Sequence, residues 1–333
     1  MVLTLNKYLI FALGFASAVG LGACSHSSPE PVDYTTMPVA DIASVMENYK
    51  YMSDSARYET IADYGAELKA FMKVVSGDSI SDVLLEAWSS SAPVEVFTPA
   101  ADSVYPSLAP IEDALGFTVA ASRNKGLHLK ATRFAAVVYG RPESIMFVDS
   151  VMLIALNHYL GADYEGYSHW PLYRRLAKTP VAMPYDIAEA LVATAYPYSA
   201  PEADNTLFAN MLYQGALTYA KLLTVKDANL ADALGYDEET LRKLDNTQQE
   251  MWRTFVARRL LYDTSSRTID RFILPSPVLR IEELEWPARA GRYIGYRIVE
   301  SYMRHFPDTS LAFLLSPEFY LSSDVLRESG YMN

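Results

Sequence analysis

The chain is poor in the residue types that build most metal, redox and disulfide sites. Among 333 residues it has one cysteine and five histidines, and no two histidines are three or four residues apart. A single cysteine excludes an internal disulfide and any CxxC motif. The sequence also contains no HExxH, GxSxG, P-loop or EF-hand pattern. The common signatures of metallopeptidases, serine hydrolases and nucleotide-binding proteins are therefore missing.

Positive charge is also scarce. The 28 Lys and Arg residues face 40 Asp and Glu residues, which gives a net charge of −12. Proteins that bind nucleic acid gain much of their affinity by neutralising phosphates with basic side chains. An acidic chain of this kind is not expected to bind nucleic acid, or to attach to anionic lipid through a basic patch.

The N-terminus has the pattern of a bacterial lipoprotein signal peptide. Lys7 precedes an apolar run over 8–18, and the sequence LGAC ends at Cys24. Small residues before a cysteine form a lipobox, so we expect cleavage after residues 1–23 and lipidation of Cys24, because several acyl chains give stable anchoring. The run is too short for a spanning helix. Ser25 after the cysteine favours the outer membrane.

The remainder is predicted to form a tether and one domain. Residues 24–38 are rich in Ser and Pro and have no apolar period, which is typical of a flexible tether. Residues 39–333 contain no second linker and no repeat, so one globular domain is expected. We predict N-terminal helices over 40–126, a small sheet over 129–156 and a helical part over 157–333.

Apolar residues follow a helical period through most of the domain. Two segments, 129–140 and 144–156, are instead rich in Val, Ile, Phe and Tyr and are separated by Gly140-Arg141-Pro142. This pattern predicts an antiparallel strand pair and hence a predominantly helical α+β fold with a small antiparallel sheet. Helices are predicted over 40–52, 57–75, 80–91, 108–122, 170–177, 185–196, 206–224, 237–262, 291–306 and 310–328.

Glycines inside predicted helices need a packing reason, because each costs about 1 kcal/mol relative to alanine. Gly215 lies within MLYQGALTYAKLL (211–223). We expect it to allow close approach of the helix over 185–196. Gly291 and Gly295, four residues apart, predict a second close-contact face.

The second half of the chain resembles the gliding-motility lipoprotein family GldB. The resemblance begins with FVDSVMLIALNHYLGADYEGY (147–167) and continues in order to SSDVLRESGYM (322–332). No single motif is diagnostic, but the ordered set together with a lipobox is specific to this family. The intervening segments are MPYDIAEALVATAY (183–196), NMLYQGALTYAKLL (210–223), GYDEETLRKLDNTQQEMWRTFVARRLLYDT (235–264), RFILPSPVLR (271–280) and GRYIGYRIVESYM (291–303).

That family in turn looks like a distant relative of gluzincin metallopeptidases, which implies a zincin-like domain. In those enzymes two His of an HExxH helix and a Glu from a second helix bind zinc. In the matching register here, Glu189 and Ala193 replace the two histidines and Ala190 replaces the catalytic glutamate. Gln214 stands at the position of the ligand glutamate. The resemblance therefore implies a degenerate site with no metal and no peptidase activity.

Other residues are candidates for contact with a ligand or partner. Arg292 and Arg297 could hold an anion, although such arginines are more commonly salt-bridged. Tyr164 and Trp170 belong to an aromatic group with Tyr159 and Tyr167 that could line a groove, although packing is the simpler interpretation. Asp186 is the remaining candidate, one turn before Glu189.

A metal site between His158 and His169, with Asp163 and Glu165 between them, is conceivable from the sequence. Histidines in loops beside tyrosines more often make hydrogen bonds at the surface. We therefore expect no metal and no other cofactor.

These features predict a non-enzymatic lipoprotein of the outer membrane that binds other envelope proteins, with a role in gliding motility or the associated secretion machinery. The alternative is an envelope hydrolase in which Glu189 acts with Asp186 or Asp163 on a peptide or glycan. It requires an open cleft over 185–196 and a carboxylate of raised pKa. A cleft filled by Tyr196, Tyr198 and Trp170 would argue against it. A substrate-binding lipoprotein is a third hypothesis.

Overall fold

Helices make up most of the structure, and the predicted predominantly helical α+β class is confirmed. The computed structural model describes residues 31–77, 79–281 and 283–331. The signal peptide over 1–23, the lipidation site Cys24 and the first part of the tether lie outside the described residues.

The four-stranded sheet is mixed. Strand β2 pairs in parallel with β1 on one side and with β4 on the other, and β3 pairs antiparallel with β4. All five residues of β4 are buried, as expected for a strand covered on both faces. In the order β1-β2-β4-β3, the strands are β1 Val39–Asp41, β2 Arg133–Val137, β4 Val151–Ala155 and β3 Ile145–Val148.

The predicted antiparallel pairing of 129–140 with 144–156 is therefore wrong. The segment 144–156 folds back on itself, because Asp149 adopts a positive φ of 54° and starts a tight turn between β3 and β4. Asp tolerates this conformation better than most residues. The antiparallel hairpin of β3 and β4 thus lies within the second predicted strand. The C-terminal half of that predicted strand, β4, pairs in parallel with β2 from the first predicted strand.

Between residue 31 and strand β2 the structure describes six helices and the short strand β1, which was not predicted. Ser53 and Ser81 cap α2 and α4 by accepting hydrogen bonds from backbone N–H groups. The fifth helix was also not predicted from the sequence; its Pro93 lies in the first turn, where proline is tolerated. The helices are α1 Ile42–Tyr49, α2 Asp54–Asp63, α3 Gly65–Val75, α4 Asp82–Ser89, α5 Ala92–Val104 and α6 Ala109–Asn124.

Where the structure describes it, the second half of the chain is helical apart from one small hairpin, β5 Leu279–Ile281 with β6 Leu284–Trp286. Its longest buried helix starts at an N-cap Thr206, which accepts a hydrogen bond from Ala209 N. The helices are α7 Leu172–Arg175, α8 Ala182–Ala195, α9 Leu207–Thr224, α10 Leu230–Leu234, α11 Glu238–Ala257, α12 Ser266–Ile273, α13 Ala290–His305, α14 Leu311–Leu314, α15 Pro317–Tyr320 and α16 Val325–Ser329.

Helices α9 and α13 cross with their backbones in contact. A Cβ added to Gly215 would lie 2.3 Å from the carbonyl carbon of Gly295, and one added to Gly295 would lie 1.8 Å from the carbonyl oxygen of Met211. The prediction that Gly215 and Gly295 serve close packing is confirmed. The predicted partner of Gly215, the helix over 185–196, is wrong, because the glycine faces α13.

Two apolar cores lie on either side of α8. One surrounds the sheet and the N-terminal helices and includes Met183, Ile187 and Leu191. The other surrounds α9 and α13 and includes Val192. Because opposite sides of α8 face different cores, its polar residues are held at the junction between them.

The N-terminal tether is bound to the domain before residue 39. Tyr34 donates a hydrogen bond to Asp113, and the carbonyl of Thr35 lies against Gly116 of α6. The compact unit accordingly starts at Val32, so the described part of the segment predicted as a tether contacts the domain.

Candidate functional site

Two carboxylates of α8 lie at the junction of the two cores. Asp186 and Glu189 are three residues apart, which places them on neighbouring positions of the helix surface. The Glu189 Oε2 lies 2.7 Å from Nζ of Lys221, in the last turn of α9. Its Oε1 lies 3.2 Å from Nη1 of Arg292, in the first turn of α13. Glu189 therefore ties three helices together.

The helix ends explain part of this arrangement. Helix α13 has no acidic residue in its first turn and carries Arg292 there. A cation at a helix N-terminus is opposed by the helix dipole. Glu189 of α8 supplies the missing negative charge from a neighbouring helix. Lys221 at the C-terminal end of α9 is in the favoured position for a cation.

Glu189 is held in its ionised form. Burial opposes its charge, but the charges of Lys221 and Arg292 and the hydrogen bond from Lys221 outweigh that effect and hold the pKa well below its usual range. The side chain is 25% exposed, whereas that of Lys221 is 6% exposed. Both of its oxygens are engaged by cations, so Glu189 is a poor proton acceptor.

Asp186 has the opposite environment. Burial and the nearby charge of Glu189 raise its pKa, although a hydrogen bond donated by the Tyr159 hydroxyl at 2.9 Å opposes the shift. The two carboxylates of α8 thus have pKa values displaced in opposite directions. Such a separation is found where one carboxyl group exchanges protons and its neighbour stays charged.

Two further cations complete this group. Arg289 interacts electrostatically with Glu189 and Asp186, and burial together with Arg292 lowers its pKa. Its backbone has a positive φ of 61°, which is uncommon outside glycine, and its Nη1 donates to the carbonyl of Leu234. Lys178 lies near Asp186 and donates to the hydroxyl of Ser144. We call the set the charged cluster: Tyr159, Lys178, Asp186, Glu189, Lys221, Arg289 and Arg292.

The positions predicted to be degenerate pack against different parts of the structure. Ala190 packs against the core of the sheet, and Ala193 packs against the core of α9 and α13. Of these positions, only Glu189 belongs to the charged cluster. Gln214 lies on α9 with its side-chain carbonyl oxygen buried and without a hydrogen-bond partner among the described residues.

The two predicted arginines do not form a clamp. Arg292 contacts Glu189 and the carbonyl of Ile273. Arg297 instead pairs with Asp245 of α11 and with Glu300. Each arginine is salt-bridged to a different helix, so Arg297 lies outside the charged cluster.

The aromatic residues mostly pack on one another. Tyr167 stacks on Trp170 with ring centroids 4.8 Å apart, and Tyr164 meets Tyr167 edge-on. His158 is buried rather than at the surface as expected, and burial lowers its pKa to about 3. Within the described residues, no group of three or more His, Cys, Asp and Glu side chains is placed to hold a metal ion.

Of the aromatic residues named as possible fillers of a cleft, Trp170 lies against the charged cluster, with Nζ of Lys178 5.9 Å from the centroid of its ring, whereas Tyr196 and Tyr198 lie elsewhere. The Tyr196 hydroxyl accepts a hydrogen bond from His128 N, and Tyr198 packs on Tyr213 and Tyr320. Neither of these contacts involves the charged cluster. Two surface depressions of about 460 and 490 Å³ lie along β3 and beside α11, and no residue of the charged cluster lines them.

Sequence reasoning missed four members of the charged cluster: Lys178, Lys221, Arg289 and, as a partner of Asp186, Tyr159. Lys221 had a visible signal, since it is the one charged residue in MLYQGALTYAKLL. Arg289 had none, because only the positive φ and the contact with Leu234 direct it towards the carboxylates.

The chain matches a known protein family over almost its whole length. A family model described as gliding motility protein GldB matches residues 30–333. No curated protein and no solved structure matches the chain. In the described residues, no helix combines the length and apolarity needed to cross a membrane.

Proposed function

This chain belongs to the gliding motility protein GldB family, and from that premise we propose that it acts as a non-enzymatic, membrane-anchored lipoprotein that binds other proteins of the cell envelope. Membership implies a role in gliding motility, and the family's lipoprotein name suggests membrane anchoring. The proposed anchor is the lipidated Cys24, and the proposed location is the outer membrane, from Ser25.

The state of Glu189 is the observation that supports a non-enzymatic role most directly. Lys221 and Arg292 engage its two oxygens at 2.7 and 3.2 Å. A general base must accept a proton from a reacting group within hydrogen-bond reach, and Glu189 has both oxygens already bound to cations. Its neighbours Ala190 and Ala193 carry no ligand atoms. The residue at the first peptidase position therefore joins helices instead of binding zinc.

A peptidase assay tests this proposal. The purified domain is expected to hold no stoichiometric zinc by elemental analysis and to cleave no peptide in a chelator-sensitive way. Retention of one zinc per chain together with chelator-sensitive cleavage would overturn the non-enzymatic role.

A complementation experiment tests the role in motility. A gliding strain that lacks its own family member is supplied with this chain, with Cys24→Ala or with Asp186→Asn. We expect the parent chain and Asp186→Asn to restore spreading and Cys24→Ala to fail. Loss of spreading with Asp186→Asn at normal protein abundance would favour chemistry at that residue.

Crosslinking followed by affinity purification from membranes tests the binding role. Envelope proteins recovered with the native lipoprotein should be lost with Cys24→Ala, because the unanchored chain no longer meets them. The same recovery from both forms would contradict the proposed dependence on anchoring.

A hydrolase centred on Asp186 is the second candidate function. The raised pKa of Asp186 beside an ionised Glu189 is the observation that favours it. Asp163, the other proposed partner, is exposed in a loop. Turnover of a peptide or envelope glycan that disappears in Asp186→Asn and keeps its rate in Asp163→Asn would establish this candidate.

A further inference from the structure

The charged cluster contains more cations than carboxylates. Lys178, Lys221, Arg289 and Arg292 surround only Asp186 and Glu189, which leaves two positive charges in excess. The whole chain has a net charge of −12, so this concentration of positive charge runs against the composition of the protein. Unbalanced charges in a partly desolvated site are costly unless a counter-ion is supplied.

The excess lies on two identifiable side chains. Glu189 is paired with Lys221 and Arg292. Arg289 donates to the carbonyl of Leu234 and Lys178 to the hydroxyl of Ser144. In the part of the chain that the structure describes, neither Arg289 nor Lys178 is within ion-pair distance of a carboxylate. Each therefore has a neutral acceptor but no counter-charge in direct contact.

Solvent reaches the cluster. The side chains of Glu189 and Arg292 are 25% and 17% exposed. Asp186, Lys178 and Arg289 are also partly exposed. An ion or a charged group from outside can thus approach cations that are shielded from bulk water on their other sides, where electrostatic attraction is stronger than at an open surface.

The geometry already displays how a carboxylate is held. Lys221 and Arg292 approach the two oxygens of Glu189 from two different helices, and guanidinium and ammonium groups are the usual partners of carboxylates. Glu189 is the internal occupant of this position, and the neighbouring Arg289 adds a third cation within electrostatic range.

We propose that the charged cluster is a binding site for a ligand carboxylate, recognised by Arg289, Arg292 and Lys221, with Glu189 as the internal carboxylate that competes for the same cations. The inference goes beyond the proposed function and holds whether or not Asp186 exchanges protons. Asp186 is a second negative charge within electrostatic range of Glu189 and Lys221, so both acidic residues oppose an incoming anion.

Titration calorimetry with N-acetylglycine tests the site, with the neutral N-acetylglycinamide as the matched control probe at constant ionic strength. We expect saturable binding of the carboxylate only. Glu189→Gln should bind it at least about tenfold more tightly, because removal of an acidic competitor frees two cations. Arg292→Gln should bind it at least about tenfold more weakly than the parent chain.

Two variants keep the test decisive. Arg297→Gln changes an arginine of the same helix that lies outside the cluster, and its affinity should equal that of the parent chain. If Glu189→Gln does not fold, Asp186→Asn removes the other competing charge and should also tighten binding. An affinity unchanged in the folded acidic variants, equal binding of the amide probe, or an equal loss in Arg297→Gln would each overturn the proposal.

Discussion

Helices α9 and α13 are joined in two physically different ways. At the glycine crossing, the backbones of Gly215 and Gly295 touch and no side chain lies between them. At the charged cluster, the same helices are joined through Lys221 and Arg292, which both reach Glu189 of α8. The crossing depends on the size of its residues, and the cluster depends on their charge.

Because of this difference, the two regions should contribute to stability in different ways. Interiors are close-packed, so an added methyl group at the crossing has no space to enter. A buried ion pair contributes little net free energy when compared with an apolar replacement, but the loss of one partner leaves an uncompensated charge. The crossing should therefore respond to any increase in size, and the cluster only to unbalanced charge.

The largest expected effect comes from Gly295→Ala. The new Cβ would lie 1.8 Å from the carbonyl oxygen of Met211, a backbone atom that cannot move without separating the helices. We expect a loss of at least about 4 kcal/mol in the free energy of unfolding, or failure to fold. Urea denaturation measures it.

Gly65→Ala is the matched control, since a Cβ there meets nothing within 4 Å. It lies at the start of α3 and should be neutral or slightly stabilising, by up to about 1 kcal/mol. Equal effects of the two substitutions would show that helix packing does not depend on contact between the glycines.

Lys221→Met is expected to have the next largest effect. It removes the cation nearest to Glu189 while keeping the length of a side chain that is 6% exposed. Glu189 then keeps Arg292 at 3.2 Å but loses its shorter, charge-assisted hydrogen bond, which should cost about 2 kcal/mol, less than leaving a buried charge without any partner.

The double variant Lys221→Met with Glu189→Gln sharpens this test. Because Lys221 and Glu189 no longer interact once either charge is removed, the loss in the double variant should be smaller than the sum of the two single losses. Additive losses in the double-mutant cycle would mean that Lys221 acts through packing of its carbon chain and not through its charge.

These two regions also differ in how far the sequence predicted them. The glycine spacing in α13 and the buried glycine in α9 identified close-packing faces, because a glycine inside a helix costs stability unless a neighbouring backbone needs the space. The partner helix predicted for Gly215 was wrong. The sequence pattern shows which face of a helix carries small residues, but not which other helix packs against that face.

The charged cluster was less accessible to prediction. Asp186, Glu189 and Arg292 were named separately as candidates. Glu189 and Arg292 are 103 positions apart in the sequence and meet only through tertiary packing. Helix periods were reliable over long amphipathic stretches such as α9. The strand pairing failed because Asp149-Ser150, a polar pair between two apolar runs, was included in a single predicted strand, although such a pair is a turn signal.

The pH dependence of stability distinguishes the two acidic residues of the cluster. The pKa of Asp186 is raised in the folded protein. Above that pKa its ionised form therefore destabilises the folded state relative to the unfolded chain. Asp186→Asn should therefore stabilise the protein at pH 7, by about 1 kcal/mol. The gain should vanish as the pH falls to the ordinary Asp value of 3.8.

Glu189→Gln should have the opposite effect and lower the free energy of unfolding at pH 7. The lowered pKa of Glu189 means that its ionised form stabilises the fold above the ordinary Glu value of 4.5, and this contribution is lost as the pH falls further. Thermal unfolding of both variants between pH 3 and 8 measures the two effects. Parallel curves for the two variants would contradict the assignment of opposite environments.

The smallest effect is expected for Arg280→Gln. This variant breaks an Arg–Glu ion pair at the surface, of the same type as the pair of Arg292 and Glu189 in the charged cluster. Arg280 and Glu285 are 2.9 Å apart across the β5–β6 hairpin, but their side chains are 71% and 57% exposed. Water and salt screen such a pair, and holding two long side chains in place costs entropy, so the loss should stay below about 0.5 kcal/mol. Urea denaturation beside Lys221→Met compares an exposed pair with a buried one. If Arg280→Gln were as destabilising as Lys221→Met, desolvation would not be what makes the charged cluster sensitive to the loss of one partner.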